Sequence, residues 1–75
     1  MKAVFYNNKT GEMLDLIEVE SITVGYKQFK MIHELKIPGR QNNIPPEDLY
    51  WIVKAVGLHN PYYPMSEWSL ERVEK

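Results

Sequence analysis

The sequence predicts an α+β fold, in which a small antiparallel sheet of three or four strands packs on one main helix. Two observations lead to this prediction. Short β-branched or alternating apolar segments fill the first half of the chain, as is typical of strands. A later segment, at about residues 46–56, combines helix-start signals with apolar residues at helical spacing. The 75 residues suit one unit, so we expect residues 1–75 to form a single domain.

The first two strands are predicted to form a hairpin. Residues 3–6 are β-branched or aromatic, and residues 13–19 return as a second apolar segment. The polar run between them closes on Gly11, which can take the left-handed conformation that short hairpin loops need.

Alternating apolar and polar residues predict two further strands. The apolar positions are Ile22, Val24 and Tyr26 in one row, then Phe29, Met31, Leu35 and Ile37 in the next. The parity of the row flips between Tyr26 and Phe29, so the chain must turn or bulge there. We expect the turn at residues 25–28 and a loop at residues 38–43.

The main helix is predicted at about residues 46–56. A proline at position 45 or 46 suits a first helical turn, and Glu47 and Asp48 complement the helix dipole there. The apolar residues at helical spacing are Leu49, Ile52, Val53 and Val56. Gly57 can then end the helix.

The C-terminal segment allows two interpretations. The prolines at positions 61 and 64 exclude helix or central strand over residues 58–65. Ser66 can cap a short terminal helix. Trp68 and Leu70 can equally belong to a last strand, because residues 65–73 are only weakly periodic. We prefer the helix.

Composition excludes several classes of protein. Nine basic and ten acidic residues give a net charge of −1, which offers no general attraction to nucleic acid or anionic membranes. Cysteine is absent, so disulfides, thiolate nucleophiles and cysteine-based zinc sites are excluded. An unstapled domain of this size is typical of a reducing compartment, so we expect a cytoplasmic protein. The apolar run at residues 3–6 is too short to enter a membrane.

No catalytic, cofactor or metal motif is found in the sequence. His33 and His59 lack the paired spacing of metal ligands, and each has a structural explanation as a strand or loop residue. Glu47 and Asp48 are adjacent on the predicted helix, so their carboxylates would diverge by about 100°. We therefore expect a protein that is not an enzyme and needs no cofactor.

The leading functional hypothesis is a protein–protein interaction module, self-associating or part of a larger assembly. Such small domains without a site are common among accessory proteins of bacteria and their viruses. The expected interface is a group of large side chains framed by two prolines: Tyr62, Tyr63, Met65 and Trp68. The alternative is that these side chains complete an undersized core.

The second hypothesis is a nucleic-acid-binding domain that uses a basic hairpin. Its basic residues are Lys27, Lys30, Lys36 and Arg40. Only Glu34 opposes them between positions 21 and 40, which leaves a local balance of +3, and the rings of Tyr26 and Phe29 are interleaved for stacking. The structural alternative is an ordinary solvated hairpin.

Overall fold

The computed structural model describes residues 1–36 and 43–75, and its architecture is almost entirely β. The strands are β1 (Lys2–Asn7), β2 (Met13–Leu16), β3 (Val19–Gln28), β4 (Met31–Glu34), β5 (Leu49–Ala55), β6 (Tyr62–Pro64) and β7 (Trp68–Glu74). A short 3-10 turn, Pro46–Asp48, precedes β5, and the described residues contain no α-helix. The predicted α+β class is therefore wrong.

The strands form two antiparallel sheets. Sheet A has the order β2-β1-β7, and sheet B has the order β4-β3-β5-β6. The predicted first hairpin is confirmed, with Ala3 opposite Leu16 and Tyr6 opposite Met13. Its loop is closed by the Asn7 side-chain oxygen, which accepts hydrogen bonds from the backbone amides at positions 9 and 10, and by Gly11 at φ 78°. Polar loop chemistry and glycine therefore give the turn that the sequence predicts.

The predicted main helix at residues 46–56 is wrong, because that segment is mostly strand β5. Its prolines and acidic residues form only the 3-10 turn. β5 is an inner strand of sheet B and is apolar on both faces: Val53 faces the core, while Ile52 is buried on the opposite face. A short strand that is apolar on both faces contains apolar residues at helical as well as alternating spacing. Its β-branched and aromatic composition is the feature that indicates a strand.

The preferred C-terminal helix is also wrong, and the alternative of a last strand is confirmed. β7 pairs with β1, with Asn7 opposite Trp68 and Lys2 opposite Glu74. The register shifts between Val4 and Phe5, so β7 contains one extra residue at position 71. This bulge interrupts the alternation along β7 and explains the weak periodicity of its sequence.

The two sheets share one core. Its buried residues are Ala3, Phe5 and Leu16 from sheet A, with Val19, Val53 and Tyr63 from sheet B. Phe5 joins the two sheets, since its ring stacks on Tyr63 at 5.8 Å and meets Trp51 edge-on at 6.0 Å between ring centres. The aromatic residues therefore supply much of the burial that a domain of this size needs.

Candidate functional site

The β3–β4 hairpin is the most unusual surface feature of the fold. Gln28 lies opposite Met31, so Phe29 and Lys30 alone connect the two strands. Both have positive φ, 54° and 66°, the combination that a type I′ turn requires. The predicted turn at residues 25–28 is wrong, because β3 continues through that segment to Gln28.

The residues in this turn are not those that the backbone favours. Asparagine and glycine are the usual residues of a type I′ turn, because positive φ brings Cβ too close to the backbone. A bulky residue such as Phe29 is therefore strained there, at a typical cost of about 1–2 kcal/mol for each such residue. Strain of this kind concentrates at sites of function.

The turn presents apolar and basic groups together. Phe29 is 87% exposed and Met31 is 63% exposed. Lys30 lies between them in the chain, and Lys27 precedes Phe29 by two positions. Neither lysine has a carboxylate within ion-pair distance among the described residues. We call these four residues, Lys27, Phe29, Lys30 and Met31, the hairpin tip. The sequence signal for it is the break in alternation at Phe29, and Met31 was not anticipated as part of the site.

The predicted basic residues are only partly brought together. Lys27 and Lys30 are in the hairpin tip, whereas Lys36 follows the end of β4. Lys36 lines an open groove of about 540 Å³ with Tyr26, Gln28, Glu34, Leu35, Asn43 and Ile44. Arg40 lies outside the described residues.

The predicted aromatic interface is divided between core and surface. Tyr63 is 9% exposed and Trp68 is half-buried, and their rings meet edge-on at 6.0 Å. Burial raises the pKa of the Tyr63 phenol, which stays neutral in the core. Met65 is half-buried, and Tyr62, at 38%, is the most exposed of the four. The part of this segment that completes the core is thus Tyr63 and Trp68.

Among residues 1–36 and 43–75, neither histidine lies within ion-pair distance of a carboxylate. His33 packs against Tyr26 with 5.4 Å between ring centres, and His59 lies in an exposed loop. Within the described ranges, no three His, Asp or Glu side chains group closely enough to hold a metal ion. The groove beside the hairpin contains one carboxylate and one amine, from Glu34 and Lys36.

Residues 1–36 and 43–75 include no helix with the length and apolar character of a membrane span. No protein-family model matches the chain, and neither the curated proteins nor the solved structures give a match.

Proposed function

We propose that this protein is a small, non-enzymatic protein-binding module that contacts its partner through the hairpin tip. The observation that carries the proposal is Phe29, a large apolar side chain that is 87% exposed on a turn whose backbone disfavours it. A strained turn is retained more readily in a protein when the side chain on that turn binds a partner molecule.

The chemistry of the tip supports a protein partner. Phenylalanine and methionine are enriched at protein interfaces, and a desolvated aromatic ring is a common hot spot. Phe29 and Met31 are two such groups within three residues. The two-residue turn also limits the conformations of the tip, so little entropy is lost when it is ordered by a partner.

The hairpin tip replaces the aromatic segment as the main proposed contact. Tyr63 and Trp68 already pack in the core, so their rings are not free to fill pockets on another protein. Tyr62 and Met65 remain candidates for a smaller contribution. An accessory or assembly role in the cytoplasm stays part of the proposal, supported by the absence of cysteine from the sequence.

Nucleic-acid binding is the second candidate, because the same tip joins a stackable ring to two amines. Phe29 can stack on an unpaired base while Lys27 and Lys30 meet phosphates. The charges around the tip favour nucleic-acid binding less than protein binding. Asp48 lines the same concavity as Lys27, and the whole protein has a net charge of −1.

Phe29→Ala is expected to weaken capture of the partner by at least about tenfold, since hot-spot truncations cost about 2 kcal/mol or more. The measurement is quantitative affinity purification from a lysate of the source organism, with the purified partner then titrated against each variant. Tyr62→Ala is the matched control, because it also removes an exposed aromatic ring. We expect the control to weaken capture by no more than about threefold, in keeping with the smaller contribution of Tyr62.

Two outcomes would overturn this proposal. If Tyr62→Ala abolishes binding and Phe29→Ala does not, the C-terminal segment is the contact. If the captured partner is nucleic acid, with retention that falls steeply as salt rises, the second candidate is correct.

A further inference from the structure

Strand β7 is the longest exposed sheet edge in the described part of the chain. The edge strands are β2, β4, β6 and β7, with four, four, three and seven residues. An edge strand carries a row of unpaired backbone amides and carbonyls, and short edges limit pairing with another chain. β6 is further blocked by its proline, Pro64. β7 is neither short nor interrupted by proline, and its bulge at Glu71 leaves the residues that follow it free to pair.

Most of the free edge of β7 is accessible. At its start, the Trp68 carbonyl accepts a hydrogen bond from the Trp51 indole at 2.9 Å, which ties that end to sheet B. The side chains from Glu71 to Glu74 are all exposed, and Val73 is 41% exposed. The three residues after the bulge, residues 72–74, are therefore available for a regular ladder with another strand.

The charges along this edge are arranged with opposite signs about Val73. Arg72 and Glu74 flank it, and Glu71 and Lys75 lie one position further out. Arg72 donates a hydrogen bond to Glu74 at 2.8 Å, which lowers the pKa of the Glu74 carboxyl, so both groups are charged at neutral pH. A strand with this charge pattern is complementary in charge to a second copy of the same strand that runs antiparallel to it.

We propose that β7 pairs antiparallel with β7 of a second copy of this chain, about a twofold axis at Val73. In this register Arg72 of each copy lies opposite Glu74 of the other and the two valines meet, while Glu71 lies in the bulge outside the regular pairs. The three-stranded sheets of the two copies then join into one continuous sheet of six strands.

Neighbouring registers are disfavoured by repulsion. A twofold axis at Arg72 places two guanidinium groups opposite each other, and an axis at Glu71 or Glu74 places two carboxylates opposite each other. Of the axes at residues 71 to 74, only the one at Val73 avoids every like-charge pair, so the charges favour this alignment over its neighbours.

The test is the association state measured by sedimentation equilibrium at low salt, up to millimolar protein. The pairing is short, so we expect a weak dimer whose association decreases as salt rises. Arg72→Glu and Glu74→Arg each place like charges opposite one another, and we expect each to weaken self-association by at least about tenfold. The double variant Arg72→Glu/Glu74→Arg restores opposite signs and should dimerise again. An equimolar mixture of the two single variants should form a heterodimer.

A charge change elsewhere serves as the control. Lys54→Glu alters an exposed lysine of sheet B and should leave association unchanged. The proposal is overturned if the wild type stays monomeric at millimolar concentration, or if the single variants dimerise as well as the wild type. Failure of the double variant to dimerise would also overturn it. The outcome is independent of the hairpin tip, which belongs to sheet B, so each proposal can fail alone.

Discussion

Phe5→Ala is expected to remove most of the stability of the fold. Phe5 is fully buried and its ring contacts Trp51 and Tyr63 in the other sheet. Truncation of a buried phenylalanine costs about 3–5 kcal/mol, through lost burial and the cavity left behind. A chain of this length has a total stability of roughly 4–11 kcal/mol. The variant should therefore unfold at a much lower urea concentration than the wild type, and it is largely unfolded without denaturant if the wild-type stability is near the lower end of that range.

Equilibrium unfolding in urea, followed by tryptophan fluorescence, measures this effect. Phe29→Ala is a matched control, because it makes the same chemical change at a side chain that is 87% exposed. That control should change the free energy of unfolding by no more than about 0.5 kcal/mol. A Phe5→Ala variant within about 1 kcal/mol of the wild type would contradict the shared core.

Gly25→Ala is expected to destabilise sheet B by about 2–3 kcal/mol or more. A Cβ atom at this position would lie 2.5 Å from Cδ1 of Ile52 and 2.8 Å from the carbonyl oxygen of His33. The side chain of Ile52 can shift, but the His33 carbonyl belongs to the neighbouring strand β4. Relief of this second contact requires β4 to move away from β3, and the hairpin tip would move with it.

Two further variants separate the contributions of the Ile52 contact and the His33 contact to this loss of stability. Adding Ile52→Val removes the clashing methyl and should recover part of the loss, but the contact with the His33 carbonyl remains. Gly57→Ala is the reference for backbone conformation alone, since nothing lies within 4 Å of its added Cβ and its φ is 76°. Its cost should be about 1 kcal/mol. Thermal unfolding that ranks Gly25→Ala as milder than Gly57→Ala would contradict this account.

The parts of the fold that the sequence predicts are those with explicit local signals. The β1–β2 hairpin has both alternating strands and a loop closed by Asn7 and Gly11. β5 has no such signal, because Ile52 is buried on one face and Val53 on the other. Its apolar pattern then fits a helix as well as a strand, and the preceding prolines and acids match a helix start. Only pairing with β3 and β6 decides the conformation.

The hairpin tip lies in the region that the sequence predicts only as an alternative, nucleic-acid contact, whereas the preferred protein interface is predicted in the C-terminal segment. The basic residues near Lys27 and the ring of Phe29 pointed to the hairpin. Its exact turn could not be predicted, because Phe29 and Lys30 are poor type I′ residues and contradict the usual turn signals. Similarly, the rings of Tyr63 in β6 and Trp68 in β7 suggest an interface, but they belong to different sheets and pack against each other. Both differences arise where tertiary structure overrides local preference.

If the hairpin tip is retained for binding, its turn is kept at a cost to folding. The most direct test of this cost is the melting temperature of the double variant Phe29→Asn/Lys30→Gly, which supplies the residues that a type I′ turn favours. Relief of strain at two residues, partly offset by the backbone entropy that the new glycine loses on folding, should stabilise the fold by about 1–2 kcal/mol in total, which raises Tm by roughly 4–8 °C for each kcal/mol in a domain of this size. A fall in Tm would contradict the claim, because it would show that Phe29 and Lys30 stabilise the fold themselves.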